Sequence, residues 1–186
     1  MSNPQESQNH QEAEAVSTST IGRSMLIAAW VTALLLLTFY FGNWEKQQHN
    51  PNQIPVTQIN QDGSQEVRLT RNRYGHYVTN GFINDSEVQF FLDTGATNVV
   101  IPETIANNLN LPKLASHKAE TANGTVNVFV TRLASLTIGN IRFFDVEASI
   151  NPHMEGDEIL LGMSALRQLD FSQQGNQLIL KLPEKN

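Results

Sequence analysis

A chain of 186 residues with 18 acidic against 12 basic side chains, a formal net charge of -6 and no cysteine has no disulfide framework. This mildly acidic balance gives no support to nucleic-acid binding, where a concentrated basic face would be expected, so no nucleic-acid partner is expected. Its apolar residues, 40% of the total, are unevenly spread, which divides the chain into two polar stretches, one very apolar segment and roughly 120 residues able to bury a single core.

The opening MSNPQESQNHQEAEAVSTST holds almost no apolar material and predicts a disordered tail over residues 1–22. Met25 to Phe41 reads MLIAAWVTALLLLTFYF, without charge or proline. As a helix rising about 1.5 Å per residue it nearly matches a hydrocarbon core of roughly 30 Å, which predicts one transmembrane helix over residues 23–42. Thr32 and Thr38 can return their hydroxyls to the helix backbone, while Tyr40, Trp44, Glu45 and Lys46 suit an interface. A helix this apolar all round would need a larger soluble host than this chain, and no small-x-small cleavage site follows it directly, so an uncleaved anchor is the preferred reading. Arg23 on one side is matched by Lys46 on the other, leaving orientation weakly encoded. Residues 43–66, which include QQHNPNQIPVTQINQDGSQE, read as a linker.

Strand signals fill the folded domain, residues 67–186. VRLT at 67–70 alternates, and HYVTNGFI at 76–83 can pair through Asn84-Asp85-Ser86 with VQFFLD at 88–93. Val99-Val100-Ile101 leads into a short helix from Pro102 to Leu109, which Asn110 can leave through a left-handed conformation. Lys118 to Leu133 reads as two strands joined at Asn123-Gly124, and Leu136 to Phe144 as a hairpin around Gly139-Asn140, followed by Val146 to Ile150. A polar loop, NPHMEGDE at 151–158, precedes Ile159-Leu160-Leu161-Gly162 and a helical phrase from Ser164 to Leu169, with Ser164 placed as its cap. Leu178 to Leu182 reads as a terminal strand at a sheet edge. Many short strands and only short helices predict an all-β domain, a partly closed barrel.

Phe90-Phe91-Leu92-Asp93-Thr94-Gly95-Ala96-Thr97 puts an acid, a hydroxyl and a glycine directly after a strongly apolar strand. Taken alone, Asp-Thr-Gly is also what a strand-ending turn would use. The wider pattern adds Val99-Val100-Ile101-Pro102, a hairpin at 119–131, and Ile159-Leu160-Leu161-Gly162 followed by a helix from Met163 to Leu169. Over nearly all of residues 67–182 this resembles the retropepsin-like aspartic proteases, and more narrowly their membrane-anchored bacterial members.

The resemblance implies a single-lobed acid protease barrel with one or two short helices. It implies Asp93 as the catalytic acid, with Thr94, Gly95 and Ala96 supporting its loop. Thr94 would lock two such loops together across a dimer, and Gly95 would set a backbone N–H beside the carboxylate. Ala122, Asn123, Gly124 and Thr125 would form a flap over the substrate. Ile159, Leu160, Leu161 and Gly162 would thread past the active-site loop, with Gly162 permitting close backbone approach.

General acid and general base work at one peptide bond needs two carboxyl groups, and the chain holds only one Asp-Thr-Gly, so two copies must meet in a homodimer. The implied activity is an aspartic endopeptidase acting on peptide or protein, without a cofactor. For a bacterial source the implied location is the inner membrane, with the domain in the periplasm. His10, His49, His76, His117 and His153 are dispersed and form no metal motif, so no metal site is expected. Glu155, Asp157 and Glu158 read as a solvated loop that could tune substrate choice only beside the cleft. Two other readings stay open: a non-catalytic peptide-binding or dimerisation module of the same fold, and a structural membrane-attached β-domain in which Asp93 only caps a turn.

Overall fold

The computed structural model describes residues 6–60, 63–121 and 124–183. The chain divides into two compact units, Met1–Glu45 and Lys46–Asn186.

Helix α1 runs from Glu6 to His49. Its stretch Gly22–His49 is long and apolar enough to cross a membrane, and none of its most apolar window is buried. The hydroxyls of Thr32 and Thr38 donate to the carbonyls of Ala28 and Leu34, each at 2.8 Å, so neither is left unpaired along the apolar surface. The segment assigned by composition to a disordered tail is helical from Glu6 onward, residues 1–5 lying outside the described residues. Its Gln, Glu and Ala are good helix formers, and they extend a helix whose costly nucleation the apolar run has already met.

The second unit contains β1 (Val56–Ile59), β2 (Gln65–Thr70), β3 (Val78–Ile83), β4 (Ser86–Leu92), β5 (Val99–Pro102), α2 (Glu103–Asn108), β6 (Ala115–Thr121), β7 (Gly124–Ile138), β8 (Ile141–Asn151), β9 (Glu158–Leu161), α3 (Met163–Leu166), β10 (Asp170–Gln174) and β11 (Gln177–Lys181). One antiparallel sheet has the order β1-β2-β11-β10, and a mixed sheet has the order β3-β4-β9-β5-β8-β7-β6.

This corrects the expected fold class. Among the described residues there are three helices, the longest of 44 residues, so the fold is mixed α/β rather than all-β, and the described strands form two sheets that do not close into a barrel. Closure needs continuous, staggered ladders around the whole circuit. Here β3 meets β7 only through Phe82↔Thr137 and Ile83↔Leu136, and β5 meets β9 only through Val100↔Leu160.

Local turn chemistry explains the hairpins. Asn84 and Asp85 both have positive φ between β3 and β4, as a two-residue hairpin loop requires, and Gly139 does the same between β7 and β8. Asn110 leaves α2 at φ 53. The terminal strand is not an edge: β11, joined to β10 through the turn at Gly175, lies between β2 and β10, and the sheet edges are β1 and β10. β10 has no apolar alternation, all five residues being exposed, which is why no strand is legible there.

The core is continuous across the unit. Val67 and Leu69 of β2, Phe90 of β4, Val99 and Ile101 of β5, Ile159 and Leu161 of β9 and Leu180 of β11 are all fully buried within it. Burial of such side chains contributes about 1.5–3 kcal/mol each.

The supposed linker is partly built into this unit. Asn50 and Asn52 are 4% exposed. Asn52 Nδ2 donates to the carbonyls of Thr70 (2.9 Å) and Val78 (2.7 Å), while its Oδ1 accepts from Thr70 N at 2.6 Å. Asn50 Nδ2 donates to Asn80 Oδ1 at 2.7 Å. Asn72 Nδ2 donates to the His49 carbonyl at 2.9 Å, and the His49 ring lies 2.6 Å from Glu158 Oε1. The segment thus bridges the ends of β2 and β3, and composition missed it because buried amides satisfy themselves by position, not by periodicity.

Candidate active site

Strands β4 and β9 run parallel in the register Gln89↔Glu158 to Leu92↔Leu161. Their apolar side chains hold both in the core, so Asp93 emerges beside Gly162 at the shared C-terminal end. The Asp93 N–H donates to Leu161 O at 3.2 Å. The Gly95 N–H donates to Asp93 Oδ1 at 2.9 Å, and the Ala96 N–H to Asp93 O at 3.2 Å. Asp93 is half-buried, with Thr94 and Gly95 exposed beside it. The Gly95 backbone therefore orients one oxygen of the Asp93 carboxylate.

The turn after Asp93 is held from below. Met163 N–H donates to Ala96 O at 2.8 Å and Ser164 N–H to Thr97 O at 2.9 Å. This approach requires Gly162: a Cβ there would fall 2.6 Å from the Ala96 carbonyl oxygen and closer still to that of Asn98. Ile159 and Leu161 are buried beneath the loop, while Leu160 reaches the cleft.

A cleft of about 1200 Å³ opens at Asp93. One wall is the hairpin β6–β7, whose paired residues His117↔Val128 and Ala119↔Val126 line it. The hairpin's register ends at Thr121↔Gly124, so Gly124 and Thr125 begin its return strand. Ala122 and Asn123, expected at the flap tip, lie outside the described residues. Another wall is the 151–158 loop, which contributes His153, Met154 and Glu155.

Several of these were not assigned to the site from sequence. The 151–158 loop bears no pattern linking it to Asp93, although Glu155 does border the cleft, as do the dispersed His117 and His153. For His117 the alternation of β6 was a usable signal, since it shares a face with Ala119. Glu158 instead faces His49 and also accepts Gln89 Nε2 at 3.0 Å. Ser164 does not cap α3: Gly162 occupies the N-cap position and no side-chain cap bond forms. Among the described residues no three His, Asp or Glu side chains are grouped to hold a metal ion.

An acid at the end of an apolar strand, a threaded glycine beneath its loop and a hairpin beside the cleft are the features to compare with known proteins. Residues 79–168 match the family model described as "gag-polyprotein putative aspartyl protease". A retropepsin-like aspartic protease from Rickettsia conorii, known from its crystal structure, is 29% identical with a TM-score of 0.57, covering 69% of this chain and 95% of that one. A Sinorhizobium protein described as "Uncharacterized protein in cobV 5'region" is 29% identical over 115 residues. That match takes in 60% of this chain and 49% of the relative, so it spans about half the relative's length. Over residues 79–168 the chain is matched by that family model, and over most of its length it is similar to a retropepsin-like aspartic protease.

Proposed function

We propose that this protein is a membrane-anchored aspartic endopeptidase that works as a homodimer, each copy bringing one Asp93 to a shared water. The observation that carries this reading is the single Asp93 carboxylate, oriented by the Gly95 N–H at the floor of a cleft large enough for an extended peptide. One carboxyl group cannot be both acid and base at one peptide bond, so a second copy must supply the other. Two identical groups divide the work by role, one acting as base and its counterpart as acid.

The unprotonated Asp93 takes a proton from the water as it attacks the scissile carbonyl. The protonated Asp93 of the second copy gives its proton to the carbonyl oxygen, producing a neutral gem-diol without a covalent acyl intermediate. Thr94, exposed beside Asp93, is the residue that would meet its counterpart across the pair. The β6–β7 hairpin closes over the substrate, excludes bulk water and offers backbone hydrogen bonds. α1 holds two copies in one membrane, which raises their effective concentration. For a bacterial source the domain lies on the periplasmic side of the inner membrane.

The test is cleavage of a diverse peptide mixture from about pH 3 to pH 7 by full-length wild type, Asp93→Asn and Asp93→Ala in vesicles. Specific cleavage by wild type alone supports the reading. Equal cleavage by both folded variants would exclude it.

A further inference from the structure

We infer that Ser164 is a positioning residue for Asp93, a role that rests on the endopeptidase reading for its kinetic consequence but not for its geometry. Residues 161–164 grip the active-site loop at four points: Asp93 N, Ala96 O, Thr97 O and Val99 N. The first three are main-chain to main-chain bonds, which no substitution removes directly. The fourth is a side-chain bond, Val99 N–H donating to Ser164 Oγ at 3.0 Å. The same hydroxyl donates to the Glu147 carbonyl of β8 at 3.0 Å.

Ser164 is 8% exposed and Val99 fully buried, so water cannot readily replace the bond between them. A hydroxyl accepts and donates at one atom, which suits it to join the loop's exit, β8 and the start of α3 at a single point. The loop is therefore closed at its start by Leu161 O on Asp93 N and at its end by Ser164 on Val99 N. Removing the second closure leaves a buried N–H unpaired and frees the chain that carries the carboxylate. Because the carboxylate must meet a second one around a water, small angular drift of the loop is felt at the chemical step rather than in substrate binding.

Full-length wild type, Ser164→Ala, Ser164→Thr and Asn52→Ala are compared in vesicles below the melting midpoint of each. Asn52→Ala serves as a destabilised reference remote from the loop. Ser164→Ala is expected to lower kcat on the order of 10-fold or more with little change in KM, and Ser164→Thr to recover most of it. Amide exchange at Val99 is expected to accelerate about 10-fold or more in Ser164→Ala but not in Asn52→Ala. Val99 protection that survives in Ser164→Ala, or a kcat loss no larger than that of Asn52→Ala, overturns the positioning role. Absence of Asp93-dependent cleavage in wild type overturns the endopeptidase reading instead, and the exchange measurement then decides the positioning role alone.

Discussion

The active-site loop from Asp93 to Asn98 and the segment from His49 to Asn52 are both polar and irregular, yet they are held in opposite ways. The first leaves Thr94, Gly95 and Thr97 exposed and is gripped almost entirely through its backbone by residues 161–164. The second buries Asn50 and Asn52 and is held through their side-chain amides. Backbone fixing leaves side chains free for chemistry, and side-chain fixing leaves nothing free. Substitutions should therefore separate the two regions, one changing turnover and the other stability.

The largest expected effect is at Asp93. Asp93→Asn should lower specific cleavage by about 10³-fold or more while leaving the thermal midpoint nearly unchanged, since the amide keeps an acceptor for Gly95 N–H. Peptide-cleavage rates and calorimetry on the same preparation check both halves. Gly162→Ala should do both kinds of damage. Its Cβ meets two carbonyl oxygens of the loop, and overpacking of this kind costs about 1–3 kcal/mol, read by denaturant titration together with loss of cleavage.

Asn52→Ala should cost about 1–3 kcal/mol because it strips partners from Thr70 N and O and from Val78 O, with kcat per folded molecule unchanged. A fall in kcat there would blur the contrast between the regions. The smallest effect belongs to His49→Ala: the His49–Glu158 pair has side chains 45% and 25% exposed, and such pairs are worth less than about 1 kcal/mol. A double-mutant cycle with Glu158→Gln measures that coupling.

The same contrast explains what could be read from sequence. β4 and β9 announce themselves as apolar runs, the hairpins by Asn-Asp and Gly-Asn turns, and the turn after Asp93 by a short string of turn-forming residues. The docked segment at 49–52 has no such signature, because an asparagine bound for solvent and one bound for a buried network look alike. β1 and β10 escaped for a related reason: every residue of each is exposed, so no face alternates. Open sheets were mistaken for a barrel because strand count is legible locally, whereas the two-pair contact of β3 with β7 is a long-range fact. Ser164 was placed as a helix cap on its position alone, and only the fold reveals that its hydroxyl turns to β5 and β8 instead.

The central claim is that each copy contributes one carboxyl group to a shared site, and mixing tests it most directly. Wild-type and Asp93→Asn chains, reconstituted in equal amounts and allowed to exchange partners, should retain about one quarter of the wild-type activity per total chain, because only pairs with two intact carboxyl groups turn over. Retention of about one half, in proportion to wild-type chains, would show that a single chain suffices and would contradict the account.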